Sequence, residues 1–135
     1  MALLQAGKIF NNESWKDEAI GILLKTTEIR EWSEAKVLDA GLCHGTSGIA
    51  HIYNRAYKYT GIEKFKVSAI YWFEQTLKMA AFDDGLAGYK TYRAPEFGGF
   101  CNENGFLTGI AGIGLAMISA VSDIEPVWDR ALLLS

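Results

Sequence analysis

Cysteine is scarce in this chain, and so is any concentration of positive charge. Cys43 and Cys101 are the only two cysteines in 135 residues, so one disulfide is the arithmetic limit and a disulfide framework is excluded. The 13 Lys and Arg are dispersed and outnumbered by 16 Asp and Glu, and a net charge of -3 leaves no basic footprint for nucleic acid. No stretch reaches the roughly 18 to 20 uninterrupted apolar residues that cross a bilayer. Met1 to Gly7 lacks the basic start and long apolar core of a signal peptide. These absences make a cytoplasmic chain the expectation, in a compartment where reduced thiols serve metals or catalysis.

What is abundant is apolar surface. Half the residues are hydrophobic and 13% are aromatic, which argues that much of the chain faces other protein. A chain of this length has the size of one domain and can bury roughly two thirds of its unfolded surface.

The apolar residues recur with helical spacing. From Asn12 to Trp32, Trp15, Ala19, Ile20, Leu23 and Leu24 oppose Lys16, Glu18, Lys25 and Glu28, which predicts an amphipathic helix. From Thr46 to Tyr59 the apolar arc is wider, and Thr46 or Ser47 is placed to cap the first amides. Glu63 to Ala81 repeats the amphipathic type, with Phe65, Ala69, Trp72, Phe73, Leu77 and Ala80 on one stripe. Ile110 to Val121 is apolar almost throughout, the pattern of a helix enclosed by protein. Pro126 punctuates the chain before a last short helix, Val127 to Leu134, and no strand pattern of comparable strength appears. The expected fold is all-α, with helical hairpins stacked side by side, the apolar helices inside and the amphipathic ones outside.

Two segments punctuate this pattern. Gly41-Leu42-Cys43-His44-Gly45-Thr46-Ser47-Gly48 has a partner 64 residues on, Gly105-Phe106-Leu107-Thr108-Gly109-Ile110-Ala111-Gly112, with the same glycine spacing and no Cys-His pair. A structural unit is repeated, and one copy carries chemistry. Zinc accepts thiolate and imidazole in tetrahedral geometry, so Cys43 and His44 supply two ligands of the usual three or four. The helix beginning near Thr46 turns its positive dipole end toward Cys43, which favours a thiolate. The plainer role of such a pair is packing, and two ligands fall short of a site.

Cys101, in Phe97-Gly98-Gly99-Phe100-Cys101-Asn102, is a candidate third ligand or a small buried apolar residue. His51 lies seven residues beyond His44 and is either a proton shuttle facing the same cavity or a hydrogen-bonded core histidine. Asp83, Asp84, Glu96 and Glu103 show no fixed spacing for paired acid-base work and read as solvated. The second glycine set lacks the preceding strand and following Lys of a phosphate loop, so it reads as close helix packing. The aperiodic stretch Asp83 to Asn104 is expected near the same rim as Cys43, because irregular segments of that length are seldom idle.

At these residues the chain resembles the lanthionine synthetase C-like family, the LanC-type cyclases that close thioether rings in ribosomal peptides (lantibiotics). The resemblance rests on Gly41 to Ala50, then Phe106 to Gly114, then Pro126 to Leu133, in the order of the family's C-terminal part. It implies an α/α toroid of inner and outer helices, of which residues 1–135 form a single C-terminal fragment and partial ring. It further implies a zinc ion held by two Cys and one His. That ion activates a cysteine thiol of the precursor peptide for addition to dehydroalanine or dehydrobutyrine. By position Cys43 and His44 match the adjacent Cys-His ligands. The other cysteine ligand and the family's acid-base His and Asp are expected upstream, so no catalytic residue beyond the two ligands is assigned here and the chain alone is expected to be inactive.

A dehydratase, separate or fused upstream, is the implied partner, and the apolar faces of a partial ring are expected to drive self-association. Two other readings stay open: a LanC-like module that binds thiol compounds such as glutathione, and a non-catalytic helical module in which Cys43 and His44 are packing residues.

Overall fold

The computed structural model describes residues 1–28 and 35–134, and it is all-α apart from one small hairpin. Five α-helices follow in order: α1 Ala2–Ile9, α2 Glu13–Thr26, α3 Thr46–Thr60, α4 Glu63–Lys78 and α5 Ile110–Val121. A 3-10 helix, Val127–Leu132, closes the described chain. None of the described helices is long and apolar enough to cross a membrane.

The expected helix from Asn12 to Trp32 is realised as α2. The Asn12 side chain accepts from the Trp15 amide at 3.2 Å, which satisfies one open donor and fixes the start. The end expected at Trp32 lies outside the described residues. Helix α3 begins where expected but by another device, since neither Thr46 nor Ser47 caps it. Its N-cap is Gly45, with no side-chain bond, and the Thr46 hydroxyl instead accepts from Thr76 Oγ1 at 2.8 Å across the α3–α4 contact.

Helices α1 and α2 pack as one hairpin and α3 and α4 as the next, with α5 on the other flank of α3. The main core lies between α3 and α4. Ala50, Tyr53 and Ala56 meet Phe65, Ala69 and Trp72, and Ile20, Leu23 and Leu24 of α2 close over them. Small residues on α3 let the aromatic rings of α4 approach its backbone, and Phe65 and Trp72 are fully buried. Leu77 and Ala80, placed on the buried stripe by sequence, are exposed instead, and Gln75 and Thr76 take the inward positions at the end of α4.

Helix α5 has the predicted bounds but is not enclosed. Ile113, Ala116 and Ser119 are buried, Ile113 against Ala40 and Tyr89, while Ile118 and Val121 are 60% and 89% exposed, because no described element packs on that side. The stretch from Asp83 to Asn104 contains the one hairpin, Thr91–Tyr92 paired antiparallel with Phe100–Cys101. Pairing this short leaves almost no periodicity for sequence to register.

The glycine repeat is a repeat of backbone geometry. Gly45 N donates to Gly41 O at 2.8 Å and Thr46 N to Asp39 O at 3.1 Å; Gly109 N donates to Gly105 O at 3.1 Å and Ile110 N to Glu103 O at 3.0 Å. In both copies the second and third glycines are the ones that sterics demand, since a Cβ on Gly45 would overlap the Gly41 backbone nitrogen and one on Gly109 the Glu103 carbonyl oxygen. A Cβ on Gly48 would overlap the Leu42 carbonyl, and one on Gly112 the Phe106 carbonyl.

Two alanine substitutions in α5 should therefore act oppositely. Gly112→Ala drives a methyl into backbone and should cost at least about 1–3 kcal/mol. Gly114→Ala, with nothing near its Cβ position, should gain about 0.5–1 kcal/mol from reduced unfolded-chain freedom. Urea denaturation followed by circular dichroism measures both, and equal effects would refute the steric reading.

Candidate metal centre

The Cys43–His44 pair stands on the turn that joins the segment Val37–Leu42, buried except at Leu38, to α3. Cys43 is exposed, the His44 side chain is half exposed, and Leu42 and Gly45 on either side are buried. The turn is held from below by Asp39, which is 2% exposed. One carboxylate oxygen, Oδ1, accepts from the Gly41 amide at 2.9 Å. The other, Oδ2, accepts from the Tyr92 amide of the hairpin at 2.8 Å and lies 3.3 Å from His44 Nε2.

That contact has a chemical consequence. A carboxylate at Nε2 fixes the ring's orientation and leaves Nδ1 as the nitrogen able to bind a metal, the arrangement by which metal-ligating histidines are commonly oriented. Cys43 is held by its backbone, since its amide donates to Leu107 O of the second glycine turn at 2.8 Å. Thr91 Oγ1 donates to the neighbouring Thr108 carbonyl at 2.6 Å, which brings the hairpin onto the same rim as expected. Beside Asp39 a cavity of about 320 Å³ opens, walled by Leu38, Met79, Phe82 and Phe100 with Lys90 at its edge.

The thiol and imidazole suit a soft metal ion, and the oriented ring fits a ligand role. They are nevertheless a partial donor set. Among the described residues no three His, Cys, Asp or Glu side chains come together as a metal-holding group, so Cys101 does not complete a site with Cys43 and His44. It is half-buried on the hairpin, opposite Thr91.

His51 is the hydrogen-bonded core histidine. It is fully buried and stacked on Trp128 at 4.7 Å, with Nδ1 2.8 Å from Ser119 Oγ and Nε2 3.0 Å from Asp129 Oδ2. Both partners lie far along the chain, so the sequence offered no sign of them. Of the loop carboxylates, Asp84 pairs with Lys90 at 2.6 Å in solvent. Glu103 does more than the solvated role expected of it. Its Oε1 accepts from the Gly105 amide at 3.2 Å while Oε2 meets Arg93 at 2.9 Å. It is the counterpart of Asp39, two residues ahead of the first glycine in each copy, and that recurrence was the available signal for Asp39.

The repeated glycine turn, the Cys-His pair on one copy and the helical hairpins now meet an independent finding. The family model for "Lanthionine synthetase C-like protein" matches residues 1–133. The chain belongs to this lanthionine synthetase C-like family. No curated protein matches it. The Cys43–His44 turn and its Gly105–Gly112 counterpart stand at the starts of α3 and α5.

The buried histidine gives a pH test. Burial pushes its pKa below the ordinary 6.5; contact with Asp129 opposes this, and Arg55 and Lys58 add to the lowering. The unfolded chain then takes up the proton first, so this stabilisation is complete above pH 6.5 and is lost as pH falls below it. Melting temperature should drop on acidification from about pH 7.5 to 5.5, and His51→Gln should flatten that slope. Parallel slopes for the two proteins would contradict it.

Proposed function

We propose that this chain contributes the Cys-His share of the zinc centre of a thioether-forming cyclase. On this reading the substrate is a precursor peptide bearing cysteines and dehydrated residues. Each cysteine sulfur forms a bond to the β-carbon of a dehydroalanine or dehydrobutyrine, and the α-carbon takes up a proton, so nothing is lost from the peptide. The observation that carries the proposal is the exposed Cys43 beside an imidazole whose Nε2 is engaged by buried Asp39.

Cys43 Sγ and His44 Nδ1 would hold the metal, and bound zinc would supply the Lewis acidity that lowers a thiol's pKa and presents it as thiolate. Asp39 keeps the imidazole in one orientation and raises its basicity as a ligand. The turn fixes both side chains through backbone bonds, so the site does not depend on their own packing for its position. The apolar cavity beside Asp39 suits a hydrophobic side chain of the peptide next to the reacting cysteine. A dehydratase reaction must supply the unsaturated acceptor, and a reducing compartment such as the cytoplasm keeps the thiol available.

Exposure of Cys43 makes a clean test. In a protein that also supplies the family's second cysteine ligand, one zinc per chain and ring closure are expected. Cys43→Ala should abolish both while shifting stability by no more than about 0.5 kcal/mol, as surface substitutions do. A stability cost with zinc retained would assign Cys43 to packing, and tight stoichiometric zinc on the 135-residue chain through Cys43 and His44 alone would also contradict the proposal.

The hairpins correspond on this reading to an arc of a toroid, and the face of α5 around Ile118 and Val121, uncovered among the described residues, is where copies of the chain would self-associate. Sedimentation should show concentration-dependent association of the 135-residue chain. A sharp monomer at all concentrations counts against the arc.

A further inference from the structure

At the opposite end of the inner helices from Cys43, five cations converge on one open cavity of about 600 Å³. It is lined by Lys8 from the last turn of α1, Lys16 from α2, Arg55 and Lys58 from α3, and Arg130 from the closing 3-10 helix, with Glu125 as its carboxylate. In a chain of net charge -3 this excess is local.

Part of the charge is already answered. Lys16 pairs with Glu13 at 2.7 Å, and Arg55 meets both Glu125 and Asp129. Lys58 Nζ donates to the carbonyls of Ser119 and Ser122 at 2.9 and 3.0 Å, which tidies the end of α5 but neutralises nothing. Among the described residues no carboxylate comes within ion-pair distance of Lys8, Lys58 or Arg130.

Glu125 shows what the cavity attracts. It sits on the link after α5, its side chain is 59% exposed, and it is docked on an Arg55 side chain that is 8% exposed. Arg55, Lys58 and Arg130 all favour its charged form, and Arg55 holds its carboxyl below the usual range. A carboxylate from the chain itself thus occupies part of a site with cationic capacity left over. A buried guanidinium flanked by the Lys8 and Lys58 ammonium groups suits phosphate oxygens, and the volume exceeds one phosphate group, with Tyr59 and Gln5 on the wall to hydrogen-bond what the phosphate carries.

We propose that this cavity binds a small phosphate-bearing molecule, which engages Lys8, Lys58 and Arg130 and competes with Glu125 for Arg55. The ligand would bridge the first and last described helices, already joined there by Gln5 Nε2 donating to Leu134 O at 3.2 Å. The site is separate from the Cys43–His44 turn and does not rest on the cyclase reading.

The test titrates the 135-residue chain with inorganic pyrophosphate and, separately, ADP, against sodium chloride at matched ionic strength, reading calorimetric heat and thermal shift. Saturable binding that raises the melting temperature beyond the chloride control is expected. Equal affinity for the two probes assigns recognition to the phosphates alone, and tighter ADP assigns it to the whole nucleotide. Arg130→Ala and Lys8→Ala, both at exposed positions, should each weaken binding about tenfold, the worth of one charge-assisted contact. Glu125→Gln should tighten it. Binding no stronger than chloride, or variants that bind like the parent, would overturn the proposal.

Discussion

The Cys43 amide bonded to the Leu107 carbonyl is the contact on which the rest of the site depends. It ties the first glycine turn to the second, and the packing around it repeats the message. Leu42 lies against Gly112, and Gly41 lies against the Thr108 backbone. Side chains at Gly41 and Gly112 would separate the turns and move Cys43 away from the hairpin that carries Tyr92. The absence of side chains there lets α3 and α5 start close together, and that closeness sets where a thiol and an imidazole stand.

Energetically, the two ends of α3 and α5 differ. At the starts, backbone amides and carbonyls are satisfied by one another and by Asp39 and Glu103, which leaves Cys43 exposed and His44 half exposed against Asp39. Toward the other end, polar side chains are buried together: His51, Ser119, Asp129 and Arg55 form a connected set whose members come from α3, α5 and the closing 3-10 helix. Buried polar groups persist only when they are paired, so this set demands that the three elements arrive in one arrangement.

Much of this was legible from residue spacing. The 64-residue recurrence located both glycine turns, and the apolar run gave α5 its bounds. The family followed from the same residues and agrees with the match over residues 1–133. What spacing could not reveal was pairing across distance. His51 reads from spacing as either a shuttle near His44 or a core histidine, and the partners that make it the latter come from 68 and 78 residues away, where only the folded chain brings them together. The burial of Gln75 and Thr76 in place of Leu77 escaped for a related reason, since a hydroxyl bonded to Trp72 O and Thr46 Oγ1 packs inside as readily as an apolar group.

Asp39 and Glu103 carry one more implication. Each spends a single oxygen on closing its turn, through Gly41 or Gly105, and each has a second oxygen that the turn does not require. In Glu103 the longer side chain sends that oxygen outward to Arg93; in Asp39 the shorter one keeps it inside, against Tyr92 and His44. A hairpin of this build therefore comes with a spare acceptor beside the very position where a ligand can appear. At this point the two turns differ by Cys43 and His44 in place of Leu107 and Thr108 and by one methylene in the acid beneath, on the same backbone bonds.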